Sequence, residues 1–196
     1  YAGNGGFDVR HYALNLSYKP STHHLAGTAV VCAVATENLD RFDLDLRRDM
    51  AVSRVTVNGH RARYARSGRQ ELVITPRPKL HAGRPFAVRV SYAGKAESVT
   101  DPDGSSEGWI PTDDGAFVVG EPQGSPSWFP CSDHPTDKAT FTTRVRSLRG
   151  KRWSATACSS RTGPRTATRL SSGTKAIPWR RTSPPWPSAI SRSSGR

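Results

Sequence analysis

Hydrophobic and polar residues alternate with a period of two along most of the first 145 positions, the spacing of side chains on a half-buried strand. Tyr12, Leu14, Leu16 and Tyr18 alternate with His11, Ala13, Asn15 and Ser17, and Pro20-Ser21-Thr22 supplies a turn. From Leu25 to Val34 apolar residues occupy both parities, which suits a strand covered on both faces. Phe42, Leu44 and Leu46 predict a short half-buried strand. Asn58-Gly59 between strand-like flanks predicts a hairpin through a type I′ turn. Gln70–Thr75 and the run Phe86, Val88, Val90, Tyr92 predict two more strands. Ala93–Asp114 breaks into polar and glycine-rich sequence and reads as a long excursion ahead of a short strand at Ala116–Val119. No window sustains an apolar period of 3.6. The expectation is an all-β domain, an antiparallel sandwich or saddle of about seven or eight strands.

One stretch does not fit the alternation. Gly120–Phe141 carries Pro122, Pro126, Pro130 and Pro135, which exclude a regular helix or a central strand. It also carries Trp128, Phe129 and Cys131, residue types that are usually buried. A proline-pinned connection that tucks its aromatics inward and ends in a strand-like run (Ala139, Phe141, Thr143, Val145) is therefore expected.

Charge divides the chain. Residues 1–145 hold 17 Lys and Arg against 16 Asp and Glu, whereas residues 146–196 hold 12 Lys and Arg and no acid. The overall +13 thus describes the tail rather than the domain. That tail has no Val, Phe or Tyr and only Leu148, Leu170, Ile177 and Ile190 as large aliphatics. Without a periodic apolar face it cannot offset its ordering entropy, so residues 146–196 are expected to be disordered. Two readings of the tail differ in kind. It is either an arginine-rich arm with Trp153, Trp179 and Trp186 for an anionic partner, or an out-of-frame translation product with no evolved role. The abrupt change of composition in mid-domain favours the second.

Cys32, Cys131 and Cys158 are too few and odd in number for a disulfide framework, and a Cys32–Cys131 bridge is left open. No apolar run approaches the roughly 20 residues needed to cross a bilayer. The chain opens on Tyr1 rather than Met, from which a processed or fragmentary chain is expected, and an extracellular setting is favoured.

Several constellations carry residue types that could form a site. His23-His24 are adjacent on an extended segment, so their side chains diverge, and they read as turn residues. Cys131-x-x-His134 has ligand spacing but lacks a second pair. Asp101, Asp103, Asp113 and Asp114 lack the glycine and terminal glutamate of a calcium loop. Asp133 reads as a turn or cap residue. On residues alone Glu121 is an ordinary loop glutamate.

Glu121, followed by Phe129-Pro130-Cys131-x-Asp133-x-Pro135-x-x-Lys138-Ala139-x-Phe141, resembles the end of the N-terminal domain of aminopeptidase N-type zinc metallopeptidases. Upstream pieces agree in order: Asp8-Val9-x-His11-Tyr12-x-Leu14-x-Leu16, Leu25-x-Gly27, Phe42-x-Leu44-Asp45-Leu46 and Val55-x-Val57-Asn58-Gly59. The resemblance covers about residues 7–145; residues 1–145 are expected to form one domain, truncated at its C-terminal end, with 146–196 outside it. It implies a β-saddle packed on a catalytic domain of the same polypeptide, which binds one Zn²⁺ and cleaves single residues from peptides with a free N-terminus. It also implies a substrate-binding role for Glu121, as anchor for the substrate α-amino group. A carboxylate suits that role because a charge-assisted bond to an ammonium selects an unblocked terminus. Where the family often has a glutamine two residues earlier, this sequence has Val119.

The His-Glu-x-x-His motif that carries zinc and the catalytic base occurs nowhere in the sequence, nor does the family's Gly-x-Met-Glu-Asn loop. No catalytic or metal-ligating residue is therefore expected in this chain, no cofactor is assigned to it, and it is expected to be inactive alone. Neither nucleic acid nor a membrane segment is expected. The rival expectation is a stand-alone β-sandwich binding module whose basic tail contacts an anionic partner.

Overall fold

The structure is a computed structural model. It describes residues 5–100, 104–113, 115–120, 124–134, 136–147 and 152–155. These all fall in the first of two compact units, Tyr1–Ser160, while the second, Arg161–Arg196, lies outside the described residues. So does most of the basic tail.

Thirteen strands are described: β1 Phe7–Lys19, β2 His24–Ala35, β3 Phe42–Asp45, β4 Met50–Val57, β5 His60–Arg61, β6 Arg63–Ser67, β7 Glu71–Thr75, β8 Pro85–Lys95, β9 Ser98–Thr100, β10 Ser106–Pro111, β11 Ala116–Val119, β12 Thr140–Ser147 and β13 Arg152–Ala155. Seven of them form one sheet in the order β13-β12-β1-β2-β8-β4-β5. Two three-stranded sheets, β3-β7-β6 and β11-β10-β9, accompany it. The all-β, largely antiparallel expectation holds, and the strand count exceeds it because hairpins and the excursion each contribute short strands. One pairing is parallel: β12 lies beside β1, with Tyr12 opposite Phe141 and Leu16 opposite Val145.

The inner face of the large sheet is the core. Val9, Tyr12, Leu14, Leu16 and Tyr18 of β1 point inward, as do Leu25, Ala29, Val31 and Ala33 of β2 and Phe86, Val88, Val90 and Tyr92 of β8. Cross-strand registers such as Leu14↔Ala29↔Val90 line these positions up in rows, as the period of two requires. The β3-β7-β6 sheet closes over one end. Phe42 packs edge-on against Phe7 and Phe86, at ring-centroid distances of 5.6 and 5.4 Å. The outward positions of β2 are only half-buried, so the strand that reads as covered on both faces is covered on one by the described residues.

Asn58 and Gly59 take φ of 50° and 84°, the left-handed pair that the hairpin turn demands. The excursion 93–114 is not irregular throughout. β8 runs on to Lys95, and β9 and β10 pair antiparallel, Glu107 opposite Val99. Its alternation is weak because β9 is short and largely exposed and β10 buries successive residues, so hydrophobicity did not mark it. Past the expected boundary at 145, β12 continues to Ser147 and β13 pairs with it, Val145 opposite Trp153.

Candidate functional site: the proline loop and its clamp

The segment between β11 and β12 is fixed at three levels. At its start, Ser125–Ser127 forms one turn of 3₁₀-helix. Gly124 there meets Gly108 of β10 backbone to backbone. A Cβ on Gly124 would lie 2.4 Å from the Gly108 nitrogen and 2.5 Å from the Val119 carbonyl oxygen. Gly108 itself has φ of 80°, and a Cβ there would lie 2.1 Å from Ser127 Oγ. Ser127 Oγ donates to the Gly124 carbonyl at 2.8 Å and accepts from the Trp109 backbone N–H at 3.3 Å. Only glycines allow this approach, and the serine satisfies the polar groups it buries.

In its middle, the loop is bound to β3. Asp45 and Cys131 exchange both backbone hydrogen bonds, at 2.7 and 3.0 Å, as an isolated antiparallel bridge. The Asp45 carboxylate takes the Asp133 N–H at 3.2 Å and the Gln70 side-chain amide at 3.2 Å. Ser132 N–H donates to Tyr12 Oη at 2.9 Å, and Arg47 N–H donates to the Pro126 carbonyl at 2.8 Å. At its end, Val9 N–H donates to Asp137 Oδ1 at 3.0 Å just before β12 joins β1.

Between these bonds runs a ladder of rings: Tyr18 on Trp109 at 5.0 Å, Trp109 on Trp128 at 5.7 Å, Trp128 on Phe129 at 4.4 Å and Phe129 on Tyr12 at 5.5 Å. Tyr12 also stacks on Phe141 at 4.9 Å. The expected inward packing of Phe129 and Cys131 is observed, and Trp128 is half-buried. Burial, and after it the Asp133 and Asp45 carboxylates, push the Cys131 thiol well up, so it is a neutral core group. Burial pushes the Tyr12 phenol up as well. Asp133 is raised to about 6, first by burial and then by Asp45 and Glu107. Its hydrogen bond to Asp45 runs through the backbone N–H rather than through the side chain that a turn or cap residue uses, and spacing gave no hint of the perturbed carboxyl.

Glu121 lies outside the described residues. Its neighbours are placed: Gly120 follows the end of β11 in solvent and Gly124 is buried in the contact with β10. β11 runs up to that point with Phe117, Val118 and Val119 exposed at 53, 43 and 38%. An apolar strand in solvent beside the loop is the surface feature that sequence reasoning missed. The run Ala116–Val119 predicts a strand but not its exposure.

The other candidates separate. Cys131 Sγ faces the Asp45 carbonyl, whereas His134 Nδ1 accepts from Thr136, so the two do not converge. His23 adopts a left-handed turn conformation with φ of 52° and His24 begins β2. Cys32 is on the outward parity of β2 and Cys131 is buried under the inner face; both are free, which closes the question of a bridge. Asp101, Asp103 and Asp114 lie outside the described residues. Among the described residues no group of three or more His, Cys, Asp or Glu is placed to hold a metal ion. An open groove of about 600 Å³ is lined by Asp40, Arg41, Thr75–Lys79, none of them from the proline loop. Its Lys79–Asp40 pair, at 3.6 Å, is largely solvated.

Comparison with solved structures places this β domain among known ones. An M1 zinc metallopeptidase from Deinococcus radiodurans matches with 35% identity and a TM-score of 0.68, over 74% of this chain and 33% of that one. A mutant of the same enzyme bound to a Tyr-Ser-Ala substrate matches at 36% identity and 0.67. Native yeast LTA4 hydrolase shares the fold, with a TM-score of 0.57, at 24% identity over 73% of this chain and 23% of that one. No family model and no curated protein matches the chain. By fold and sequence together, the β domain belongs to the M1, aminopeptidase N-type zinc metallopeptidases. The chain spans about a third of the length of the M1 structures it matches, 34% for one bound to L-arginine.

Proposed function

We propose that this domain is the N-terminal, substrate-cleft part of a zinc aminopeptidase, and that Glu121 anchors the α-amino group of the peptide. Zn²⁺ and the catalytic base belong, on this reading, to a catalytic domain of the same polypeptide outside this chain, which is inactive alone. The observation that carries the reading is the clamp. Gly108, Gly124 and Ser127 fix the backbone that follows residues 121–123, and β11 ends at Val119 ahead of them, so the described neighbours of Glu121 are tied to β10. Such anchoring is what a substrate-orienting carboxylate needs, since a misplacement of about 1 Å can cost 10²-fold in rate. The Tyr-Ser-Ala complex of the Deinococcus enzyme supports a peptide as the ligand class.

The test is a chimera in which residues 7–145 replace the matching segment of the Deinococcus metallopeptidase. Glu121→Ala in the chimera should lower kcat/KM for Tyr-Ser-Ala by about 10–150-fold, the value of one hydrogen bond to a charged group of about 1.5–3 kcal/mol. An unchanged kcat/KM in a folded chimera refutes the anchor. The 196-residue chain alone should turn over no peptide with or without added zinc; zinc-dependent turnover would refute the division of labour.

A further inference from the structure

The outer face of the seven-stranded sheet has a composition that the cleft reading leaves unused. Register places Arg61 (β5), Thr56 (β4), Arg89 (β8), Val30 (β2), Ala13 (β1) and Thr142 (β12) in one outward row. The next row along the strands reads Arg54, Ser91, Thr28, Asn15 and Arg144, and Arg146 stands opposite Ser17 beyond it. Arg54, Arg61, Arg89, Arg144 and Arg146 are exposed, and none forms an ion pair among the described residues. The outward positions of β1, β2, β4, β5, β8 and β12 include one carboxylate, Asp8, and it is paired with Arg10 at 2.8 Å. The outer sheet face is thus positive within a domain that is near-neutral in total, while further arginines such as Arg47, Arg48, Arg63 and Arg66 lie off it.

The arginines stand on two flanks, Arg54, Arg61 and Arg89 on one side and Arg144 and Arg146 on the other. Between them Ala13, Thr28, Val30 and Cys32 make a low floor of half-buried small side chains, with exposed Asn15 beside Arg144. From Arg89 on β8 to Arg144 on β12 is three strand spacings, about 14 Å. An α-helix with its side chains is about 10–12 Å across. Arg144 and Arg146 are two residues apart on one strand, about 6.6 Å, close to the about 5.4 Å between successive turns of a helix.

We propose that this face is a docking surface for an acidic helix of a partner protein, small residues seated on the floor and carboxylates meeting both arginine flanks. Nucleic acid fits less well. Among the described residues the face offers no exposed aromatic for base stacking, and these five arginines, spread over five strand spacings or about 24 Å, leave most of a duplex, with one charge per about 1.7 Å, unmatched. The basic tail is a second polycation, so the test must separate the two.

The probe is a fluorescein-labelled helical peptide with an alanine stripe and glutamates on both flanks, titrated with the full chain and followed by anisotropy at low and at physiological salt. Replacing Arg54, Arg61, Arg89, Arg144 and Arg146 by Gln should weaken binding at least about tenfold. The charge-matched set Arg161, Arg165, Arg169, Arg180 and Arg181→Gln should change it less than about threefold. Replacing the five face arginines by Lys keeps the charges and should stay within about threefold of the parent, which separates docking from misfolding. The proposal fails if the peptide does not bind, if the tail set removes the binding, or if folded Lys and Gln sets lose it equally. It fails too if duplex DNA binds the same arginines more tightly than the peptide.

Discussion

Gly108→Ala tests the contact on which the clamp depends. Two costs are expected. Gly108 has φ of 80°, where an L-residue costs about 1–2 kcal/mol. The new Cβ would also lie 2.1 Å from Ser127 Oγ and 3.0 Å from the Gly124 carbonyl oxygen. Ser127 must turn away, which breaks its bonds to Gly124 and Trp109, each worth about 1 kcal/mol in a buried setting. The variant should therefore lose about 3–4 kcal/mol. Ser127→Ala alone loses the same two bonds without backbone strain, about 2 kcal/mol. With both changes, the hydroxyl that clashes is already gone, and the sum of the single effects should exceed the double by about 1–2 kcal/mol. Urea unfolding followed by circular dichroism of the strand signal measures all four corners of the cycle. Additivity within about 0.5 kcal/mol, or a Gly108→Ala cost below about 1 kcal/mol, would show that β10 and the loop are not in the contact described.

Two further predictions concern the same loop. Tyr12→Phe leaves the Ser132 N–H buried without its 2.9 Å acceptor but keeps the stack on Phe141, so it should cost about 1–3 kcal/mol and lower the melting temperature. Asp133 has a carboxyl raised from 3.8 to about 6, so its protonated form favours the fold. That contribution is complete below pH 3.8 and is lost as pH rises through about 6. Asp133→Asn should accordingly be more stable than the parent at pH 8, with the gap narrowing toward pH 4. Melting curves across that range check it, and a constant gap would rule out Asp133 as the titrating group.

Local pattern sufficed wherever the physics is local. Alternation in Tyr12–Tyr18 and Phe86–Tyr92 marked strands because side chains on a pleated backbone repeat every two residues. Asn58-Gly59 marked a hairpin because few other pairs take positive φ cheaply. The prolines of Gly120–Phe141 excluded helix and central strand, and its spaced Phe-Pro-Cys-x-Asp pattern carried the family. Residues far apart in sequence were decided otherwise. That β12 pairs parallel with β1 depends on where a proline loop delivers the chain, which no local signal encodes. The bridge of Asp45 to Cys131 and the Gly108–Gly124 approach join segments whose sequences say nothing of one another. The excursion concealed β9 and β10 because β9 is short and largely exposed, and β10 buries Glu107, Gly108 and Trp109 in succession rather than in alternation. Likewise, the arginine flanks of the outer face come from β4, β5, β8 and β12, and a near-neutral charge count hides them. The sequence by itself determined which stretches extend and turn, because those are properties of neighbouring dihedrals and side-chain parity. Only the tertiary structure decided which faces meet, which acids are buried and which charges gather, because those depend on register between strands distant in the chain.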